Sequence, residues 1–274
     1  MKKALILLLI VTALSRYSLG QETNYVITGQ LYGTPRHGYP DRMNGKVYEV
    51  KYLAFWPKEE NGQIVKGNRI TGAERGNISL SQDFVEQYNQ SGTIIRFESM
   101  NDFDEVTSYW KVEAEGKTII KAENFNRTHL ITGYNIYTYN EGNLREVKMS
   151  RNVNGPVLMR IVYEYDSLGN RIRFQTYNGL NIPGSYTEFT YNKTGMLNGF
   201  KSYSADGKMI STFEYKYNEK GEIISSHSEN FLKGTTGDFI LMHEYDKMGN
   251  WIKAVSFKDG KPFYVREREI KYYE

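Results

Sequence analysis

Tyr163-Glu164-Tyr165-Asp166-Ser167-Leu168-Gly169-Asn170 is the stretch on which the fold turns. The residues leading into it alternate. Met159, Ile161, Tyr163 and Tyr165 share one side, and Leu158, Arg160, Val162 and Glu164 share the other. A period of two with unequal faces marks a β-strand. An Asp in first position and a Gly in fourth suit a type I turn. The carboxylate accepts N–H groups within the turn, and the glycine takes φ > 0 at little steric cost, which gives a hairpin with a glycine bulge. Asn170 to Tyr177 then reads as a second strand, with Ile172 and Phe174 on one face and Arg171, Arg173 and Gln175 on the other. Asn178-Gly179 supplies a second turn, expected to be type I′.

This unit recurs. Phe189-Thr190-Tyr191-Asn192 leads to Gly195, Tyr215-Lys216-Tyr217-Asn218 to Gly221, and His243-Glu244-Tyr245-Asp246 to Gly249. Tyr137-Thr138-Tyr139-Asn140 with Gly142 is a shorter copy, and the spacing from Gly142 to Gly249 runs in steps of 26 to 28 residues. An apolar residue often follows three places after the glycine, as at Ile172, Ile224 and Ile252, and the second turn recurs at Asn154-Gly155, Asp206-Gly207 and Asp259-Gly260. Upstream the pattern is worn. Tyr88 with Gly92 and Ile95 is one copy, Trp110 and Val112 with Gly116 and Ile119 another, and Phe55-Trp56 with Asn61-Gly62 and Val65 a third. A fixed period of this length is the mark of stacked repeats. The expected fold is all-β: about eight antiparallel hairpin units of about 26 residues, in one long curled sheet or barrel-like meander. Asp166, Gly169, Asn192, Gly195, Asn218, Gly221, Asp246 and Gly249 are assigned to its turns. Phe263 to Tyr273 reads as a charged terminal strand suited to a free edge. Tyr25-Val26-Ile27-Thr28 is a candidate first strand, and Leu80 to Tyr88 forms at most one helical turn.

The first residues carry a different signal. Lys2 and Lys3 precede an uncharged run from Ala4 to Leu14, and Ser18-Leu19-Gly20 follows. This is the layout of a secretory signal peptide cleaved after Gly20. The run is well short of the roughly 20 residues of a spanning helix. With no cysteine after it, a lipid-modified amino terminus is excluded. Residues 1–20 are therefore read as signal peptide and 21–274 as a single β-repeat domain, degenerate over 21–132 and clear over 133–274. The expected location is outside the cytoplasm: periplasm, cell surface or medium. The absence of cysteine removes disulfides, thiolate metal sites and cysteine nucleophiles. The net charge is +3, from 35 basic and 32 acidic residues that are interspersed. No basic block stands out, so nucleic acid is not an expected partner.

Tyr163 to Asn170, and His243-Glu244-Tyr245-Asp246-Lys247-Met248-Gly249-Asn250, resemble the YD repeat of the Rhs family. The likeness is good from Gly133 onward and poor before it. It implies a curling sheet of hairpins, which in the largest members closes into a hollow shell. The chain departs from the family's toxin carriers in having few repeats and no boundary motif before a released domain. The resemblance thus implies a small exported β-repeat protein, similar to members that look porin-shaped in outline, and no toxin role.

Catalytic constellations are scarce. His243-Glu244 lacks the second histidine of a zinc protease, and no nucleophile elbow or phosphate-binding loop is present. His243 occupies a slot filled elsewhere by Tyr or Phe, which suits packing. Asn192 and Asn218 replace Asp166 and Asp246 across repeats, as befits a turn acceptor rather than a general acid. The expectation is a non-enzymatic binding or scaffold module at the cell envelope, with no cofactor or metal and a carbohydrate or envelope protein as partner; the sequence does not give the oligomeric state. Trp251, Tyr177 and Tyr203 are the candidates for stacking on a ligand, because their alternation places them on the more polar face. The Tyr-x-Tyr rows are expected to pack in the core. Asp166-Ser167-Leu168 also resembles an acceptor for O-linked sugar. Two alternatives are an outer-membrane β-barrel and a polysaccharide-active hydrolase. Against the barrel stand Arg160, Glu164, Arg171, Arg173, Glu214 and Lys216, assigned to the face opposite the tyrosines, where a spanning barrel would meet lipid. The chain is accordingly expected not to be an integral membrane protein.

Overall fold

Each repeat turn is held by its leading side chain. Asp166 Oδ1 accepts the backbone N–H groups of Leu168 (2.9 Å) and Asn170 (2.8 Å). Asp246 does the same for Met248 and Asn250, and Asn192 for Thr194 and Met196. Asn218 accepts from Glu222 N–H at 3.0 Å. The glycine closing each turn has φ of +79° to +81° at Gly169, Gly195, Gly221 and Gly249. That left-handed conformation is cheap for glycine and costly for other residues.

The computed structural model describes residues 25–27, 42–78, 83–219 and 221–274. The expected signal peptide, and the segment after Ile27 whose Gly33, Pro35, Gly38 and Pro40 predict a loop, lie outside the described residues. β1 (Tyr25–Ile27) and β2 (Arg42–Asn44) form a small antiparallel sheet of their own. There follow β3 (Val47–Glu60), β4 (Gln63–Arg69), a short helix α1 (Gly72–Ile78), β5 (Phe84–Tyr88), β6 (Ile94–Met100), β7 (Val106–Glu115), β8 (Thr118–Asn126) and β9 (Ile131–Asn140). Then come β10 (Asn143–Ser150), β11 (Val157–Tyr165), β12 (Arg171–Asn178), β13 (Pro183–Tyr191), β14 (Leu197–Tyr203), β15 (Met209–Tyr217), β16 (Ile223–Asn230), β17 (Thr235–Tyr245), β18 (Trp251–Lys258) and β19 (Lys261–Tyr272). β3 and β5 to β19 make a closed antiparallel barrel of 16 strands. β3 pairs with β5 through Glu49 to Tyr52, and β4 folds back on the later part of β3, from Phe55 to Glu60. The all-β hairpin meander is thus the observed fold, in its closed form.

Strand direction alternates around the barrel, so every hairpin from β5–β6 to β17–β18 turns at one end, here the repeat end. The connections β6–β7 through β18–β19 lie at the far end. Tyr163 is 1% exposed and Tyr88 and Ile94 are fully buried. Tyr163, Tyr88 and Ile94 pack in one cluster with Val50, Phe97, Tyr137 and Val147 from other strands, so the Tyr-x-Tyr face lines the interior. Near the repeat end that lining is aromatic and aliphatic: Tyr88, Phe97, Tyr137, Val147, Tyr163, Phe189, Leu197 and Tyr215 are buried. Removing one such ring from water contributes on the order of 4–6 kcal/mol of gross transfer energy. Farther from the turn the inward positions become Ser99, Asn124, Asn135, Thr176, Thr187, Ser202 and Ser228. In several units the second tyrosine also ties one repeat to the one before it. Tyr191 Oη donates to Arg171 O (2.8 Å) and Tyr217 Oη to Leu197 O (2.6 Å).

Several local expectations are corrected. The glycine bulge shifts the register by one, so Tyr165 pairs with Arg171, while Ile172 is the extra residue, 38% exposed. Arg171 therefore turns inward, its guanidinium 4.7 Å from the Phe189 ring centroid and 5.7 Å from that of Tyr163. Asn178-Gly179 is not a type I′ turn. Asn178 Oδ1 accepts from Leu180 and Ile182 N–H, and Asn181 takes the left-handed φ of +64°. Asn61-Gly62 is the tip of the β3–β4 hairpin rather than a barrel repeat. Phe84 to Tyr88 is strand, not helix. Finally, β19 is not a free edge, because it pairs with β3 from Val265 to Tyr272.

Candidate interaction surface: the outer wall and the far end

The outward side chains change character along the barrel axis. Counted from the repeat turns, the first outward pairs are charged: Glu164 with Arg173, Glu244 with Lys253, Lys271 with Glu49, and Glu113 with Lys121. Several close as ion pairs, Lys253 Nζ to Glu244 at 2.7 Å and Lys271 Nζ to Glu49 at 2.6 Å. The second outward pairs remain largely polar, as with Glu188 and Lys201 or Glu214 and His227. The third are rich in rings: Tyr109 with Phe125, Arg160 with Tyr177, Tyr186 with Tyr203, and Ile240 with Phe257, with Tyr134 beside Ser150. Tyr109 and Phe125 stack at 4.8 Å, and Tyr186 and Tyr203 at 4.7 Å. Cations cover them: Arg160 lies 4.0 Å from the Tyr177 centroid, Arg173 4.3 Å from Tyr186, Arg96 4.2 Å from Tyr109, and Lys111 5.2 Å from Phe125.

Beyond this girdle the far-end loops expose large apolar tips. Phe103 is 83% exposed, Leu180 81%, Leu232 74% and Leu130 65%. Ile182 and Phe231 are about half exposed. These tips ride on the same Asn-led turns as the repeat end. Asn101 caps the loop of Phe103 and Asn126 that of Leu130, but the left-handed position is filled by Asp104 or His129 in place of glycine. The repeat end also exposes apolar side chains, Leu168 and Met248 at its turns and Ile95, Ile172 and Ile224 at the bulges that follow them.

The stacking candidates separate. Tyr177 and Tyr203 face outward within the girdle. Trp251 does not lie on the polar face. It pairs with Tyr245 at the bulge and points inward, with the Arg268 guanidinium 3.4 Å from its ring centroid. Asp166, Gly169, Asn192, Gly195, Asn218, Gly221, Asp246 and Gly249 form the repeat-end turns, with Ser167 and Leu168 exposed at one tip. His243 packs inward between Tyr245 and Trp251. His227 faces outward, Nδ1 to Asp238 at 2.7 Å. Among the described residues, no His, Cys, Asp and Glu cluster could hold a metal ion. The sequence reading singles out Tyr177 and Tyr203 but not the other girdle residues, nor the loop tips. Counting outward positions back from each glycine finds the girdle, and a Leu or Phe inside an Asn-led turn marks the tips.

One outward depression interrupts the wall, a cavity of about 480 Å³ over Gly199. Where other repeats carry a charged first pair, Thr190 faces Gly199, and Asn198, Lys201, Glu214, His227, Glu229 and Phe231 surround the gap.

No family model matches the chain, and no curated protein matches it. Solved structures do. A porin-like protein from Bacteroides uniformis aligns at 10% identity over 82% of this chain and 98% of its own, with a TM-score of 0.52. A porin-like protein from Bacteroides vulgatus aligns at 12% identity over 84% and 99%, with a TM-score of 0.45. The TcdB2-TccC3 toxin assembly aligns at 10% identity over 80% of this chain and 13% of its own, with a TM-score of 0.25, too low to carry an argument. The first of these shares the fold. The expectation that the chain is not an integral membrane protein is corrected by this result. The sheet closes into a barrel of the porin-like kind, and closed barrels, unlike open sheets, leave no unpaired strand edge to lipid. Of the outward charges behind that expectation, Glu164, Arg173, Glu214 and Lys216 lie in the half of the wall nearest the repeat turns, Arg160 lies at the level of Tyr177, and Arg171 turns inward.

Proposed function

We propose that this chain is a membrane-embedded β-barrel of the cell envelope, acting as a non-catalytic module rather than an enzyme. The observation that carries the reading is the outward row of partly exposed Tyr134, Tyr177, Tyr186, Tyr203 and Phe257, all at one distance from the repeat turns, with Tyr109 and Phe125 buried at the same level and Thr212–Glu229 and Glu267–Leu53 interrupting it. Aromatic girdles at a single height mark the interface between lipid and water in transmembrane barrels. The porin-like name of the Bacteroides uniformis protein, and the signal-like residues 1–20, agree with an outer-membrane address. Kinship with YD repeats belongs to the same reading and rests on the turn motif. The test is fractionation of the native envelope followed by a carbonate wash. The protein is expected to stay with the membrane pellet, and release into the wash counts against the proposal.

A second reading is favoured by the depression over Gly199. Its mixture of carboxylates, amide, ammonium and hydroxyls beside an exposed Phe231 suits the hydroxyls of a neutral sugar, which both donate and accept. Binding of neutral disaccharides that is lost in Phe231→Ala would support this ligand class. Binding unchanged in that variant, or absent from the parent, removes it.

A further inference from the structure

At the repeat end, the first inward residue after each closing glycine is one structural position, repeated in eight strand pairs around the barrel. Seven of them fill it with an apolar side chain: Val47, Ile94, Ile119, Leu144, Leu197, Ile223 and Trp251. The eighth carries Arg171. A layer of packed rings and aliphatic chains asks for another apolar residue there, and a guanidinium in its place gives up its hydration. A break in an otherwise consistent pattern marks a strained or functional position.

The surroundings of Arg171 do not answer its charge. It is 8% exposed, and its Nε is buried with no hydrogen-bond partner. Arg69, Arg75, Arg96 and Arg160 each have a carboxylate oxygen within 3.1 Å, whereas Arg171 has none among the described residues. What flanks it are rings from the strands on either side. The guanidinium carbon lies 5.7 Å from the centroid of Tyr163 on β11 and 4.7 Å from that of Phe189 on β13. These rings belong to two separate apolar clusters, so Arg171 stands where the two meet. Ring faces attract and orient a cation, but they offer its N–H groups no oxygen.

We propose that Arg171 is an anion-binding residue inside the barrel, and that its ligand is the carboxylate or phosphate group of a small solute. This site is distinct from the outer depression over Gly199, and it does not depend on whether the barrel lies in lipid. A guanidinium presents five N–H donors in a rigid fork that matches two oxygens of one oxyanion, and it is more weakly hydrated than an ammonium. Little water competes for such a pair in a buried setting, which strengthens it. The backbone beneath is held as well, since Tyr191 Oη donates to Arg171 O at 2.8 Å. Packed rings on both sides within a closed barrel restrict the ligand to a small one.

The test compares the parent with Arg171→Leu, which installs the residue found at the equivalent positions 144 and 197, and with Arg171→Met, closer in length should the first variant not fold. Each is dialysed to equilibrium against radiolabelled phosphate and, separately, radiolabelled acetate, in chloride at constant ionic strength. The parent is expected to bind about one equivalent of at least one of these anions, and its melting temperature should rise with that anion as the site fills. Whichever arm binds tells tetrahedral from planar chemistry. The variants should keep the parent's far-ultraviolet dichroism and lose affinity about tenfold or more, because the charge-assisted pair is gone. A rise in melting temperature shared equally by parent and variants is the general effect of such salts on burial and counts against a site. A parent that binds neither anion, or folded variants that bind as the parent does, overturn the proposal.

Discussion

Tyr272 of β19 pairs with Val47 of β3 as the last tyrosine of a repeat pairs with the residue two places after its glycine. Tyr245 with Trp251 and Tyr217 with Ile223 are the same relationship inside continuous hairpins. At the seam the glycine is Gly45, with φ of +83°, and Tyr273 N–H donates to Lys46 O at 2.8 Å, as Asp166 N–H does to Asn170 O. The barrel is therefore closed by one further repeat, divided between its first and last strands. A circular permutant in which Glu274 is followed directly by Asn44, and the chain is opened between Ser167 and Leu168, places a five-residue Tyr-to-Gly segment at the seam, the length found at Tyr165 to Gly169. It is expected to fold with the parent's far-ultraviolet dichroism and a similar melting temperature. A permutant that remains unfolded would show that the seam does not behave as a repeat.

Asn250 should be the most sensitive polar residue at this seam. It is 3% exposed, its amide donates to Asn44 O (3.0 Å) and Tyr272 Oη (2.7 Å), and its Oδ1 accepts from Asn44 N–H (2.6 Å). Asn250→Ala leaves those groups without their partner and is expected to cost about 2–3 kcal/mol. Equilibrium denaturation checks this, and a loss under about 0.5 kcal/mol, the usual range for surface changes, contradicts it.

Gly199 is fixed by close backbone approach rather than by a turn. A Cβ there would lie 2.1 Å from Phe213 O on the neighbouring strand. Gly199→Ala must separate β14 from β15 and is expected to destabilise by about 1–3 kcal/mol or more. Gly195→Ala meets no atom but must hold φ near +79°, which costs about 1–2 kcal/mol. Comparing both melting curves with the parent separates the two effects. An unchanged β14–β15 amide exchange in Gly199→Ala would refute the first.

The Asn170 side-chain amide, helped by backbone N–H groups of the turn, holds the Asp166 carboxyl below its ordinary value. A depressed folded-state value means that the turn's contribution is fully present above the unfolded value of about 3.9 and is lost as pH falls through the lower folded one. Carbon-13 titration of Asp166 should show a midpoint below about 3.9. Asp166→Asn should remove that titration and keep the amides of Leu168 and Asn170 protected, as Asn192 does for its own turn. A midpoint at or above the unfolded value would count against the hydrogen-bonded turn.

Much of the fold is legible in the chain because its determinants are local. The turn needs an acceptor at Asp166 or Asn192 and a glycine three places on, and strand alternation needs only the next residue but one. The inward row of Tyr163, Phe189 and Tyr215 follows from that alternation. What misled was the bulge, which moves every position after the glycine by one and sends Arg171 inward and Ile172 outward. The same shift turns Trp251 away from the polar face and inward.

By itself, then, the sequence determined the hairpin, its period, its turn chemistry and the all-β class, each set by interactions within a few residues. The closure of β19 on β3, the inward course of Arg171 and Trp251, and the gathering of Leu180, Phe103 and Leu232 at one end were decided only by the tertiary structure. These depend on strand register summed around sixteen strands. Pairing between residues more than two hundred positions apart, such as Val47 and Tyr272, leaves no periodic trace in the chain.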